Sequence, residues 1–189
     1  MINYNEPLIT CTMTTLGNIE YLKNSIQCFI EQTYCNKNFF IICHGKKEDN
    51  LNVVNYIKGL ERNDIFVFEA NQKMNLGYLH NTLIELSTGE IICQWNECEY
   101  YDKNRILNQY NFLRIKNTNI ASVYVSNQIE CDIMELQNIR NLYGSIMFMK
   151  KAFWEFEFFY PQIQNDLDFE GINVLKKLIL VGDISIDII

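Results

Sequence analysis

The stretch Glu90-Ile-Ile-Cys-Gln-Trp-Asn-Glu-Cys-Glu99 is the part of this chain that says most about its fold. Its apolar start predicts a short buried strand, and two carboxylates, Glu97 and Glu99, follow just before a predicted helix. In α/β chains ligands bind at the carboxyl ends of strands, and carboxylate oxygens suit a hard divalent cation. The alternative interpretation is a solvated acidic turn that joins strand to helix.

Alternation of strand and helix extends from this stretch back to the amino terminus. The apolar patterns predict strands over 8–14, 38–43, 65–69 and 90–95, and helices over 19–32, 51–60, 75–86 and 105–116. Such alternation predicts an α/β fold with a Rossmann-like, mostly parallel sheet flanked by helices.

The second half of the chain is less regular. Its patterns predict strands over 120–125, 128–134, 143–149 and 178–188, and helices over 151–159 and 166–177. We therefore expect a smaller, mixed carboxyl-terminal part. No internal repeat or linker divides the chain, so residues 1–189 are predicted to form a single domain.

Composition excludes several classes of protein. The chain has 189 residues and a net charge of -7, so no general basic field is available to hold a nucleic acid. Its 7 cysteines are odd in number and scattered, and its 2 histidines are few, which disfavours a zinc site or a disulfide framework. No apolar run is long enough to span a bilayer. These features predict a cytoplasmic protein without an integral membrane segment.

Several short blocks invite comparison with a known family. They are Pro7-Leu-Ile-Thr-Cys-Thr-Met-Thr-Thr15, Tyr21-Leu-Lys-Asn-Ser-Ile26, Glu31-Gln-Thr-Tyr34, Phe39-Phe-Ile-Ile-Cys-His-Gly45, Asn75-Leu-Gly77 with Asn81, Thr88-Gly-Glu90, Gln94-Trp95 and Arg105. In order and spacing, over residues 1–110, this set resembles the family-two glycosyltransferases of the GT-A fold. Any single block would mean little.

The resemblance implies an inverting glycosyltransferase. Such an enzyme moves a sugar from a nucleotide-sugar donor, commonly a UDP-sugar, to a hydroxyl acceptor on a glycan or other glycoconjugate, with Mn or Mg between the phosphates. Residues 1–110 would form the nucleotide-sugar-binding half and residues 111–189 the acceptor-side half. Little chain remains for an acceptor site. The expected alternatives are therefore a minimal transferase, one domain of a longer polypeptide, or a protein whose partner, for example in a homo-oligomer, supplies the missing wall of the site.

The resemblance places the donor on a defined set of residues. Thr14 falls where the family contacts the nucleobase, and Cys43 and His44 replace the family's Asp-Asp pair, a departure that bears on uridine recognition. The remaining donor-binding residues implied in this way are Asn75, Gly77, Asn81, Trp95, Asn96 and Arg105. The alternative for His44 is a solvated loop histidine.

The family's metal-binding Asp-x-Asp motif falls on Asn96-Glu97-Cys98. Cys98 therefore stands where a metal ligand is expected, although a thiol is a soft ligand and a poor choice for Mg or Mn. Glu97 and Glu99 are the available substitutes, because each carboxylate could reach a cation from an adjacent position. The alternative is that the metal site has been lost.

The family places an acidic pair at the head of a later helix, and Asn165-Asp-Leu-Asp-Phe169 matches that place. Asp166 would be the general base that takes the proton of the acceptor hydroxyl, with Asp168 as the second candidate. The alternative is a helix cap, since Asp caps helices well. Gly144 and Ser145 lie in the predicted acceptor-side strand, where they could let a sugar approach closely, and the aromatic residues of 153–160 could stack on sugar rings. The alternatives are a core strand for the apolar residues of 143–149 and a core or interface role for the aromatic residues.

Two other functions compete with an active transferase. Because both donor loops lack their usual Asp residues, the domain could be a catalytically inactive GT-A-like binding or assembly module. A nucleotidyltransferase is less consistent with the sequence, since Leu16-Gly17-Asn18 has a single glycine and no basic residue.

Overall fold

The computed structural model describes residues 6–70, 74–117, 120–122, 146–155 and 184–186, with side chains described outside 120–122, 153–155 and 184–186. Its strands are β1 Ile9–Thr15, β2 Lys37–Cys43, β3 Ile65–Glu69, β4 Ile91–Gln94, β5 Ile120–Ser122, β6 Ile146–Met149 and β7 Ile184–Ile186. Its helices are α1 Ile19–Ile30, α2 Lys47–Gly59, α3 Leu76–Leu86, α4 Arg105–Lys116 and α5 Lys150–Glu155.

The strands within the described residues form one sheet in the order β3-β2-β1-β4-β6-β5-β7. β1 pairs in parallel with β2 and β4, and β2 pairs in parallel with β3. β6 runs antiparallel to both β4 and β5, while β7 is parallel to β5. The predicted α/β fold, with a parallel first half and a mixed second half, is therefore confirmed.

The parallel half is covered by helices on both faces. Apolar side chains of α1, α2 and α4 share one core cluster with alternate residues of the strands, including Cys11, Met13, Phe39 and Ile41. On the other face, Leu79 and Leu83 of α3 pack against Phe40 and Ile42. Since successive residues of β2 point to opposite sides, its continuous apolar run supplies both cores.

Local sequence explains where the helices begin. Asn18 caps α1, its Oδ1 accepting the backbone N–H groups of Glu20 and Tyr21 at 3.1 and 3.3 Å. Asn75 caps α3 in the same way, accepting from Gly77 at 2.8 Å and Tyr78 at 3.3 Å. Asparagine is among the best helix N-caps because its short side chain reaches these otherwise unbonded donors. Asn18 lies three residues after the end of β1 and Asn75 six residues after the end of β3, so each cap belongs to a segment that follows a strand at the carboxyl edge of the sheet.

Element bounds differ from the predictions by a few residues. Among the elements whose two ends are described, the largest shift is in α2, which begins at Lys47. Glu48 and Asp49 favour the first turn of a helix, and no apolar residue over 47–50 signals that turn in the sequence. The predicted strand over 128–134 and helix over 166–177 lie outside the described residues. In the part of the chain that the structure describes, no helix is long and apolar enough to cross a membrane.

Candidate functional site

The loops that follow β1, β2 and β4 meet at the carboxyl edge of the parallel sheet. Backbone hydrogen bonds extend the strand pairing into them: His44 N–H donates to the Thr15 carbonyl at 2.9 Å, and Trp95 N–H donates to the Thr12 carbonyl at 2.9 Å. This is the edge at which α/β proteins bind ligands. We therefore treat residues of these loops, together with the start of α3, as the candidate site.

The loop after β1 packs closely against the loop after β2 and against the start of α2. Gly17 has φ +95, a conformation that disfavours other residues, and a Cβ there would lie 2.6 Å from the Asp49 Cβ. Gly45 is closer still, since a Cβ would lie 1.8 Å from the Leu16 carbonyl oxygen. The Gly45 N–H donates to Asn50 Oδ1 at 2.9 Å. The two glycines thus allow the loop after β1 to lie directly against the loop after β2 and the start of α2. We call this contact between the loops the floor of the site.

Glu97 lies across from this floor. Burial raises the pKa of its carboxyl group, while hydrogen bonding to the Thr15 hydroxyl and the Leu16 backbone opposes that shift. Its Oε2 atom is buried and has no hydrogen-bond partner among the described residues. A buried acceptor without a partner is costly, so this oxygen is suited to bind a donor group or a cation.

The two thiols predicted to lie in the site differ in their surroundings. Cys43 is buried, and desolvation together with the charges of Glu69 and Glu97 raises its pKa to about 12. Cys98 is exposed, and desolvation and repulsion by Glu97 and Glu99 also raise its pKa. Both are therefore neutral thiols near pH 7. A neutral thiol is a weak metal ligand and a poor substitute for a carboxylate.

Two histidines interact at this edge, one in the loop after β2 and one in α3. His44 is half-buried, and burial lowers its pKa. His80, from α3, is buried, and desolvation together with repulsion by His44 lowers its pKa to about 4. Both imidazoles are therefore neutral near pH 7 and can accept as well as donate a hydrogen bond.

The start of α3 supplies one further polar group. Because Asn75 Oδ1 accepts the capping hydrogen bonds, its Nδ2 is the group left for a ligand. That nitrogen is buried without a hydrogen-bond partner in the described part of the chain. Gly77 and Asn81, also predicted at the site, are buried in the same helix.

Three predicted donor-binding residues have side chains in the protein interior. They are Cys43, Trp95 and Arg105, which are 0%, 2% and 4% exposed. The Arg105 guanidinium lies 3.8 Å from the Tyr101 ring centroid and 4.6 Å from that of Trp95, and its Nη2 donates to the Gln94 carbonyl at 2.5 Å. In this geometry they support the loops, and direct contact with a donor stays a prediction.

The remaining predicted positions divide between the site and the chain beyond it. Asn96 and Glu99 lie in the loop after β4, where they hydrogen-bond to each other at 3.2 Å. Thr14 is partly exposed on β1, on the opposite face from Thr15. Asp166, Asp168, Gly144 and Ser145 lie outside the described residues, as does the aromatic stretch beyond Glu155.

The described residues offer few protein ligands for a metal ion. Among the described residues no group of three His, Cys, Asp or Glu side chains converges on one point. Of the carboxylates that the structure describes, only that of Glu97 has a buried oxygen without a hydrogen-bond partner. This set fits a hard cation that takes most of its ligands from a bound phosphate and water, and it does not fit a cation held by protein alone.

Thr15 and His80 are site residues that the sequence did not reveal. Thr15 is buried, and its hydroxyl accepts the Gly17 N–H at 2.9 Å as well as interacting with Glu97. The alternation of β1 was the available signal, because it places Thr15 on the same face as Cys11 and Met13. No sequence pattern relates His80 to His44.

Several proteins of known structure share the fold of this chain. The chain is similar to S. aureus TarS 1-349, with a TM-score of 0.72 and 11% identity over 88% of this chain and 54% of that chain. The same protein has been solved in complex with UDP-GlcNAc, with a TM-score of 0.72 and 11% identity over 88% and 52%. The chain is also similar to the mannosyltransferase PcManGT from Pyrobaculum calidifontis in complex with GDP-Man and Mn²⁺, with a TM-score of 0.73 and 13% identity over 96% and 54%.

These similarities establish a GT-A-like glycosyltransferase fold. The chain spans about half the length of the solved structures it matches. No family model matches the chain.

Proposed function

We propose that this chain is a nucleotide-sugar-dependent glycosyltransferase that transfers a sugar, with inversion, to a hydroxyl acceptor. The observation that carries the proposal is the buried Glu97 oxygen at the carboxyl edge of a GT-A-like sheet. The similar structures were solved with UDP-GlcNAc or GDP-Man, which makes a nucleotide diphosphate sugar the first donor class to test. The choice between uracil and guanine is part of that test.

The floor of the site suits a diphosphate. At Gly45 the loop after β2 lies directly against the Leu16 backbone, so no side chain separates the two loops at this point. Neutral imidazole at His44 and the unbonded Nδ2 of Asn75 offer hydrogen-bond donors at the same edge. Such groups bind phosphate or base oxygens without adding negative charge.

The nucleobase contact is predicted to differ from that of the resembled family. A buried, neutral Cys43 thiol stands where a carboxylate would accept the uracil imide proton. Since a thiol is a weak acceptor, we expect weaker discrimination for uridine than a carboxylate would give. Thr14 and His44 are the polar side chains left for this contact.

The transfer itself needs a base and charge compensation. We propose that Asp166 accepts the acceptor hydroxyl's proton as that oxygen bonds to the anomeric carbon and the bond to the nucleotide diphosphate breaks. Asp168 is the second candidate. A divalent cation held by Glu97 and the donor phosphates would neutralise the leaving diphosphate.

Calorimetry tests donor binding directly. The protein is titrated with UDP, GDP, UDP-GlcNAc and GDP-Man, with and without MnCl2, and release of free UDP or GDP is followed over time. We expect one donor to bind and MnCl2 to tighten it. Failure of all four to bind, in both conditions, would refute the proposed function.

Variants separate the roles within the site. Glu97→Gln should weaken MnCl2-dependent binding by about tenfold or more, because it removes the charge nearest the cation. Glu90→Gln is the matched control, since Glu90 is an exposed glutamate at the amino end of the same strand. Equal binding by both variants would show that Glu97 holds no cation.

Asp166→Asn distinguishes an enzyme from a binding module. We expect this variant to lose transfer while it keeps donor binding. A wild-type protein that binds the donor but never releases the nucleotide would instead favour the inactive GT-A-like module. Unchanged transfer by Asp166→Asn would assign that aspartate to helix capping.

A further inference from the structure

The loop after β4 contains its own hydrogen-bond network. The Tyr101 hydroxyl donates to Glu99 Oε2 at 2.6 Å and accepts the Asn96 backbone N–H at 3.1 Å. The Asn96 amide group donates to Glu99 Oε1 at 3.2 Å, and its oxygen accepts the Cys98 N–H at 3.1 Å. Both oxygens of Glu99 are therefore bonded within the loop.

Tyr101 connects this network to the core. The tyrosine is 3% exposed. Its ring contacts Trp95 edge to face, with centroids 4.5 Å apart, and the Arg105 guanidinium lies 3.8 Å from its centroid. Because Arg105 also binds the carbonyl at the end of β4, the ring has little freedom to move. The Tyr101 hydroxyl is thus one of the groups that anchor the loop to the core.

Glu97 and Glu99 differ in what their oxygens contact. Glu99 bonds to its own loop, whereas Glu97 faces the loop after β1 and keeps one buried oxygen without a hydrogen-bond partner in the described residues. Glu97 and Glu99 are so close in sequence that the sequence does not show which of them would bind a cation. Their contacts separate them.

We propose that Tyr101 and Glu99 are positioning residues, which hold the loop after β4 so that Glu97 is the carboxylate presented to the phosphate-bound cation. This inference rests on the proposed function. In this arrangement Glu99 holds the loop through its shape and its hydrogen-bond acceptor atoms, whereas Glu97 holds the cation through its charge.

The two roles predict different responses to substitution. In Glu99→Gln a carbonyl oxygen can still accept from Tyr101, so most of the network survives, whereas Glu99→Ala removes it. Tyr101→Phe keeps the ring against Trp95 and Arg105 but removes the hydroxyl. A ligand role for Glu99 would instead make Glu99→Gln as damaging as Glu97→Gln, because both lose the charge.

The first experiment measures MnCl2-dependent binding of UDP and GDP by calorimetry. We expect Tyr101→Phe and Glu99→Ala to weaken it by about tenfold, as for other residues that orient metal ligands, and Glu99→Gln to weaken it much less. Tyr100→Phe is the matched control, since this neighbouring tyrosine is 77% exposed. Equal losses for Glu99→Gln and Glu97→Gln, or wild-type binding by Tyr101→Phe, would overturn the inference.

The second experiment needs no ligand. Amide hydrogen exchange of the Asn96 and Cys98 N–H groups should be slow in the wild type, faster in Tyr101→Phe and Glu99→Ala, and unchanged in Tyr100→Phe. If the wild type binds neither UDP nor GDP, the proposed function fails, while exchange still decides whether the loop is held as described. Unchanged exchange in Tyr101→Phe refutes the positioning role.

Discussion

Replacing Gly45 with alanine should destabilise the protein and should also separate the loops after β1 and β2 at the candidate site. In the structure a Cβ at this position would lie 1.8 Å from the Leu16 carbonyl oxygen and 2.6 Å from its carbonyl carbon, whereas contacts under 3.0 Å essentially never occur. The atoms in the way belong to the backbone, so no side-chain rotation can relieve the overlap. The loops after β1 and β2 must therefore move apart by more than an ångström.

The magnitude follows from that overlap. Overpacking of a well-packed region lowers the free energy of unfolding by about 1–3 kcal/mol. Because the overlapping atoms belong to the backbone and cannot rotate away, we expect a loss of about 2–3 kcal/mol here. For a chain of this size such a loss lowers Tm by roughly 4–12 °C. The separation also carries Thr15 and Leu16 away from Glu97, so MnCl2-dependent nucleotide binding should weaken in the same variant.

Urea unfolding followed by circular dichroism measures the effect, with Gly59→Ala as the matched control. Gly59 is the last residue of α2, and a Cβ there meets nothing within 4 Å. Alanine favours helix over glycine, so this control should gain up to about 1 kcal/mol. The same Gly→Ala substitution is thus expected to lower the free energy of unfolding at position 45 and to raise it at position 59. A Gly45→Ala protein that unfolds at the wild-type urea concentration would refute the packing argument.

Two further predictions concern buried charged or titratable groups. Arg105→Lys should lower the free energy of unfolding by about 2–3 kcal/mol, measured in urea, since an ammonium group cannot lie flat on Tyr101 and reach both the Gln94 carbonyl and Gln109. Arg114→Lys, at an exposed arginine, is the control and should change stability little. Equal stabilities of the two variants would contradict this prediction. His80, with its pKa lowered to about 4, stays neutral in the folded protein while the unfolded chain takes up a proton below about pH 6.5, so stability should fall between pH 6.5 and pH 4 by roughly 3 kcal/mol at most. Parallel pH titrations of unfolding check this: His80→Gln should lack that part of the loss, and identical pH profiles for the two proteins would exclude it.

The parallel half of the fold could be predicted because its signals are local. The apolar runs at 38–43 and 90–95, the asparagine caps at Asn18 and Asn75, and their regular alternation each specify an element without reference to the rest of the chain. Alternation then leaves few ways to arrange those elements, because crossovers between parallel strands have one hand. The mostly parallel sheet and its covering helices follow.

The candidate site was predicted only in outline. The sequence placed the carboxylates and loops together at the carboxyl edge of the sheet, because the carboxyl ends of parallel strands share that edge. It could not show that Glu99 is bonded to Tyr101 while Glu97 keeps an oxygen without a partner, nor that Trp95 and Arg105 lie inside. Those outcomes depend on side chains that meet across loops.

The sequence by itself determined the order of strands and helices and the edge that carries the polar loops, since periodicity and capping act over a few residues. Tertiary structure alone decided which carboxylate keeps a buried oxygen without a hydrogen-bond partner among the described residues, that Cys43 is a buried neutral thiol, and that burial and repulsion by His44 lower the pKa of His80. The physical reason is that hydrogen bonding and desolvation depend on distances between atoms, and packing sets those distances between residues far apart in the chain.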